Sequence, residues 1–238
     1  MCGRFNLRLT NRELQEFFHL FRVPEISPRY NIAPTQEVIA IRQNSDGQRV
    51  GDWLRWGLIP SWAKSPREGA KMINARSEGV ESKPAFRAAF RRRRCLIPAS
   101  GFYEWETVAG KKRPWHIHRA SPVPLAFAGL WETWAGGEAE TNPIQSCTIL
   151  TTESNFWMRS LHDRLPVILP EDAFADWLNP QNQDPQRLLP LLHACPEDWL
   201  QRERVSPLVN NVRNETPACL ESPAATDFLE ATEGAAPI

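Results

Sequence analysis

Five runs decide the fold: Cys95-Leu-Ile-Pro98, Gly101-Phe-Tyr-Glu-Trp-Glu-Thr107, Trp115-His-Ile-His-Arg119, Leu125-Ala-Phe-Ala-Gly-Leu-Trp-Glu-Thr133 and Ile144-Gln-Ser-Cys-Thr-Ile-Leu-Thr151. Each is short and rich in β-branched or aromatic residues, and turns carrying Gly110 and Gly136-Gly137 separate them. That pattern predicts consecutive antiparallel strands. Upstream, Glu37–Arg42 and Val50–Leu58 flank the turn Asn44-Ser-Asp-Gly47 and predict a hairpin.

Helices are few and short in this reading. Thr10-Asn-Arg-Glu13 is a capping box. Leu14, Phe17, Phe18 and Phe21 follow on one face, with Pro24 and Pro28 expected to end the helix. Ser82 is placed as the cap of a second helix carrying Phe86, Ala89 and Phe90, which four arginines, Arg91 to Arg94, would close. Pro170–Leu178 and Leu188–His193 complete the set. The 21 prolines suit many short elements with rigid turns. The expectation is one mixed α+β domain over residues 1–216, with a disordered tail rich in Ala, Glu, Pro and Ser over 217–238.

Composition narrows the function. Formal net charge is zero, so nucleic-acid binding would need a local basic cluster. Ten tryptophans fill a core or offer stacking surfaces. The five cysteines are odd in number and none form a CxxC pair; with no apolar run of membrane-spanning length, the expectation is a reduced, cytoplasmic setting. His116 and His118 form an HxH, but no carboxylate or Cys stands at metal-ligand spacing, so neither a metal nor any other cofactor is expected.

The chain opens Met1-Cys-Gly-Arg-Phe5. Once Met1 is removed, Cys2 carries both a free amine and a thiol, with ordinary pKa values of roughly 8 and 8.5. The amine condenses with an aldehyde to an imine, and the sulfur closes a five-membered thiazolidine. An internal Cys cannot do this, because its nitrogen is an amide. Three further segments carry chemistry. In Met72-Ile-Asn-Ala-Arg-Ser-Glu78, Asn74 and Arg76 fall on one side of an extended strand. Glu104 lies among aromatic residues, and alternation leaves open whether it faces solvent or a desolvating interior that would raise its pKa. His162, in Ser160-Leu-His-Asp-Arg-Leu-Pro-Val167, sits ahead of the rigid Pro166.

These segments, with Tyr30-Asn-Ile-Ala-Pro-Thr35 and Trp56-Gly-Leu-Ile-Pro-Ser-Trp62, resemble in content and order the SRAP family of abasic-site processing proteins. The likeness is strong to about residue 170 and weaker to about 215. The resemblance implies a single domain with a mainly antiparallel, barrel-like curved sheet and short flanking helices. It implies that Cys2 crosslinks to a ring-opened abasic sugar, that Asn74 orients it, that Glu104 moves protons and that His162 polarises the sugar oxygen. It implies Met1 removal by the same machinery, a monomer acting near the nucleoid in a damage response, and single-stranded or junction DNA as partner. Arg4, Asn31, Pro34, Ile59, Pro60, Trp62, Arg76, Ser77, Arg87 and Arg164 are the implied DNA contacts. Arg91–Arg94 fit a DNA-backbone patch and a solvated helix end equally well. Two rivals stand beside this reading: an N-terminal-nucleophile amidotransferase, which also opens Met-Cys-Gly, and a reversible single-strand binding module with an inert Cys2.

Overall fold

The computed structural model describes residues 2–136 and 142–224. Twelve strands form two sheets. The first is open, in the order β12 (Leu200–Arg204), β8 (Lys111–Arg119), β7 (Gly101–Val108), β1 (Phe5–Leu7), β2 (Arg29–Ile32). The second contains a closed five-stranded barrel. Its members are β3 (Glu37–Gln43), β4 (Arg49–Trp56), β10 (Ile144–Glu153), β9 (Leu125–Trp134) and β6 (Arg94–Ala99), and β6 returns to pair with β3. The expected antiparallel, barrel-like architecture is present. Two parallel pairings on β10 depart from it, one with β4 and one with β5 (Asn74–Arg76). Strand β11 (Arg164–Pro166) pairs antiparallel with the far end of β10.

Alternation gives the open sheet two different faces. Phe5, Phe102 and Ile117 point inward and are buried. Phe5 meets Trp56 edge-on at 5.1 Å and Phe127 of the barrel at 6.0 Å, and Phe102 meets Phe127 at 6.0 Å. These rings are the seam between sheet and barrel. Edge-to-face pairs of this kind contribute about 1 kcal/mol each beyond the area they bury. Asn6, Tyr103 and His116 lie on the outer face. There Tyr103 packs with Val205, Val209 and Cys219 from the C-terminal segment.

Helix α1 (Asn11–Phe18) has its capping box: the Glu13 amide donates to the Thr10 hydroxyl at 3.2 Å and the Thr10 amide to the Glu13 carboxylate at 2.8 Å. It ends earlier than the prolines suggested. His19 adopts a left-handed conformation (φ 52°) and closes the helix, so Phe21 lies beyond it, 66 % exposed rather than on the buried face. Helix α2 (Arg87–Arg92) begins at Phe86 without a side-chain cap; Ser82 instead donates to Gly79 in the preceding turn. The remaining helices are single turns: α3 (Phe156–Arg159), α4 (Phe174–Leu178) and α5 (Pro185–Leu188), the last two extended by 3-10 turns. No helix among the described residues is long and apolar enough to cross a membrane.

The boundary at residue 216 is set too early. Pro217–Leu220 forms a 3-10 turn and Cys219 is fully buried. Residues 225–238 of the expected tail, and Gly137 of the expected turn, lie outside the described residues.

Candidate functional site

Cys2 is fully buried at the inner side of the seam, just ahead of β1. The Tyr103 amide donates to the Arg4 carbonyl at 2.9 Å, so the β1–β7 pairing runs on toward the terminus. From the other sheet, the Asn74 amide nitrogen donates to the Cys2 carbonyl at 2.9 Å. Asn74 reaches it because β5 lies parallel to β10, with Asn74 opposite Ile149. The Asn74 side-chain oxygen is buried and has no partner among the described residues.

Glu104 resolves in favour of the interior: it is on the inner face, 5 % exposed. Burial holds its carboxyl up to about 7. The Cys2 thiol is likewise pushed far up, first by burial and then by the charge of Glu104, which places the two groups within electrostatic reach. Both influences favour the neutral thiol over the thiolate. Asp163 also raises Glu104, so the loop carrying His162 comes within electrostatic reach of it.

His162 sits between α3 and β11. The Arg164 amide donates to its Nδ1 at 2.9 Å, while the Asp163 carboxylate lies 2.7 Å from the same atom. The backbone contact needs a lone pair on Nδ1 and the carboxylate contact needs a proton there, so the two compete for that atom. Burial lowers the imidazole pKa, which favours the neutral ring. In the tautomer that serves the backbone contact, Nε2 presents an N–H donor. Beside it opens a cleft of about 490 Å³ lined by Arg76, Glu153, Arg159, Asp163 and Arg164.

The implied DNA contacts divide by burial. Arg76 is exposed, lines this cleft and makes no ion pair among the described residues. Trp62 is 59 % exposed, and Pro34 is half-buried beside Thr35, whose φ is 72°. Arg87 is exposed and shares a second cleft, of about 330 Å³, with Arg91, Arg92 and Arg93.

Others are turned toward the protein itself. Asn31 is fully buried; its amide nitrogen donates to the carbonyls of Val209, Asn211 and Asn214, at 3.3, 3.0 and 2.8 Å. Arg4 donates to Asn31 at 2.7 Å and to the Val209 carbonyl at 2.8 Å, so both residues clasp the C-terminal segment. Arg164 is 7 % exposed, bonds both Glu78 oxygens at 2.8 Å and reaches the Thr151 carbonyl, so its guanidinium holds β11 against β10. Ser77 is buried with its amide on Thr151.

Ile59 and Pro60, expected at the tip of an exposed loop, are buried. Ile59 packs with Ala63 and Trp134. That loop is pressed down where Gly57 (φ 126°) meets Gly69: a Cβ on Gly57 would come within 2.6 Å of the Gly69 carbonyl oxygen. Among the four arginines, Arg94 donates to five backbone carbonyls and Arg93 pairs with Glu132 at 2.6 Å, which leaves Arg91 and Arg92 for solvent.

A buried thiol beside an acid that titrates near neutrality, with an imidazole on a neighbouring loop, is a set of groups able to move protons and form a covalent bond. Comparison places the protein more closely: residues 1–212 match the family described as SOS response associated peptidase (SRAP), and the chain belongs to that family. It is 44 % identical to the abasic site processing protein YoqW of Bacillus subtilis, over 93 % of this chain and all of that one. It is 33 % identical to the abasic site processing protein HMCES of Xenopus tropicalis, over 82 % of this chain and 64 % of that one. Among solved structures, a Bacteroides thetaiotaomicron protein superposes with a TM-score of 0.82 at 20 % identity, over 93 % of this chain and 99 % of that one. A Bordetella bronchiseptica protein superposes with a TM-score of 0.73 at 29 % identity, over 86 % and 100 %.

Proposed function

We propose that this protein processes abasic sites in DNA by forming a covalent thiazolidine between Cys2, freed by removal of Met1, and the aldehyde of the ring-opened sugar. The hydrogen bond from Asn74 to the Cys2 carbonyl carries this reading, because it fixes the first residue of the trimmed chain beside Glu104. An abasic sugar is mostly a closed hemiacetal, so opening needs an acid for the ring oxygen and a base for the hydroxyl. With its carboxyl at about 7, Glu104 is present in both forms at neutral pH. The neutral His162 donates from Nε2 to a sugar oxygen.

The terminal amine then adds to the aldehyde carbon and water leaves, giving the imine. The thiol adds across the C=N bond: sulfur bonds carbon, and the thiol proton passes by way of Glu104 to nitrogen. The unpartnered Asn74 oxygen is placed to accept from a sugar hydroxyl or from the new ring nitrogen. Arg76 and the cleft beside His162 hold flanking phosphates. The exposed Trp62 stacks on an unpaired base, which favours single-stranded or junction DNA. Removal of Met1 is hydrolysis of one peptide bond by the same groups, and this accounts for the peptidase label.

The test is a denaturing gel of the Met1-free protein with single-stranded DNA bearing one abasic site. A heat-stable adduct is expected, and mass spectrometry of the digest should place the linkage at the N-terminus. A complex that dissolves in denaturant would instead mark a reversible binder. An equal yield of adduct from Cys2→Ala would overturn the thiazolidine.

A further inference from the structure

On the outer face of the open sheet, away from Glu104, three metal-ligating side chains converge. His116 and His118 alternate along β8 and share a side; β12 pairs with β8 so that Glu203 stands directly opposite His116. The Glu203 oxygen lies 3.4 Å from His116 Nδ1 and 3.6 Å from His118 Nε2, and the three ligand atoms fall within 4.8 Å of one another. Ligands around a tetrahedral ion with bonds of about 2.0–2.1 Å stand about 3.4 Å apart. The imidazoles are stacked, 4.9 Å between centroids and 19° between planes.

We propose that His116, His118 and Glu203 bind a divalent transition-metal ion of the zinc type. The second layer of contacts supports it. His118 Nδ1 lies 2.9 Å from the Arg119 carbonyl, an acceptor only, so Nδ1 carries the proton and Nε2 offers its lone pair to the site. Gln201 approaches both ring nitrogens of His118 at 3.4 Å, too evenly to fix either one.

His116 is oriented from behind: its Nε2 lies 2.9 Å from the Asn6 amide, and the Asn6 oxygen is otherwise buried without a partner. Turning that amide over presents the oxygen to Nε2–H, which leaves Nδ1 unprotonated toward Glu203. Three acceptors then face one point with no proton among them, an arrangement a cation resolves. The ring is also wedged in place, since a Cβ on Gly101 would come within 2.2 Å of Nε2. His118 borders a cleft of about 460 Å³ that opens the site to a fourth ligand, water or a small anion. The charge of Arg8 reaches His116 and opposes a cation; the Glu203 carboxylate offsets it. Binding would tie β12 to β8 and so fasten the start of the segment that Arg4 and Asn31 clasp.

The experiment is calorimetric titration of the chelator-treated full chain with Zn²⁺, with Co²⁺ absorption as the spectroscopic check. One equivalent should bind, with ligand-field bands for Co²⁺ and a melting temperature that rises with Zn²⁺. Glu203→Gln and His118→Ala alter exposed or half-buried side chains, and each should weaken Zn²⁺ binding at least about tenfold. Cys2→Ser, which removes the competing thiol, should leave it intact, and DNA crosslinking by Glu203→Gln should match the parent. Absence of saturable binding by the parent overturns the proposal, as does unchanged affinity in both site variants. Loss of the site in Cys2→Ser would assign the ion to the N-terminus instead.

Discussion

The two faces of the open sheet treat titratable groups by the same rule and obtain opposite chemistry. On the inner face, burial holds the Glu104 carboxyl up to about 7. On the outer face, burial takes His116 down to about 3. Desolvation disfavours whichever form is charged, so near neutrality the acid still holds a proton part of the time and the base keeps a lone pair. What differs is the neighbour. Glu104 stands by a thiol that must lose a proton to react, whereas His116 stands by a second imidazole and a carboxylate. One face is thereby suited to moving protons and the other to offering lone pairs.

The comparison breaks first at Cys2. Cys2→Ala should abolish the adduct on a denaturing gel while the protein stays folded by circular dichroism. Glu104→Gln should slow adduct formation by about 10²–10⁴-fold with DNA binding little changed, measured by single-turnover kinetics against equilibrium anisotropy.

The same variant tests the sign of the buried acid. The folded carboxyl holds its proton up to about 7 and the unfolded one only to about 4.5, so this group's contribution is full below pH 4.5 and lost as pH rises through 7. The parent should lose stability relative to Glu104→Gln over that window, on the order of 3 kcal/mol, read from denaturant midpoints. His162→Ala should slow the reaction about 10²-fold, the usual cost of one lost donor. Equal rates would remove the imidazole from the inner site.

On the outer face, Asn31→Ala should cost about 3 kcal/mol of stability, because it strands buried carbonyls, and should leave the adduct chemistry intact at temperatures where the variant is folded. A loss confined to DNA affinity would instead mark Asn31 as a DNA contact. Arg76→Ala is the smallest change expected: weaker binding across sequences, with the salt slope reduced by about one phosphate.

Local pattern made much of the molecule legible. The five strand runs, the capping box at Thr10 and the order of motifs all lie within short windows, and the structure has them. What escaped depends on pairings distant in sequence. HxH is visible in the chain, but Glu203 comes beside it only when β12 pairs with β8, 87 residues from His116. Asn31, Arg4 and Arg164 sit in motifs that match the family, and a motif does not say whether a side chain faces a ligand or the protein's own carbonyls. Phe21 failed for a local reason: the left-handed His19 ends α1 first, and a period of 3.6 residues is blind to that. The upward push on the Cys2 thiol was not legible either, because a model-peptide pKa knows nothing of burial.

The place of β1 also sets a timetable. The first strand made lies between β2 and β7, and the clasp at Asn31 closes on carbonyls as late as Asn214. At about 5–20 residues per second, ribosomal synthesis takes roughly 10–40 s to reach that point. β1 gains both neighbours once β7 is made, but the clasp of Arg4 and Asn31 waits for a segment that follows every strand of both sheets. The two ends of the chain are thus fastened to each other last.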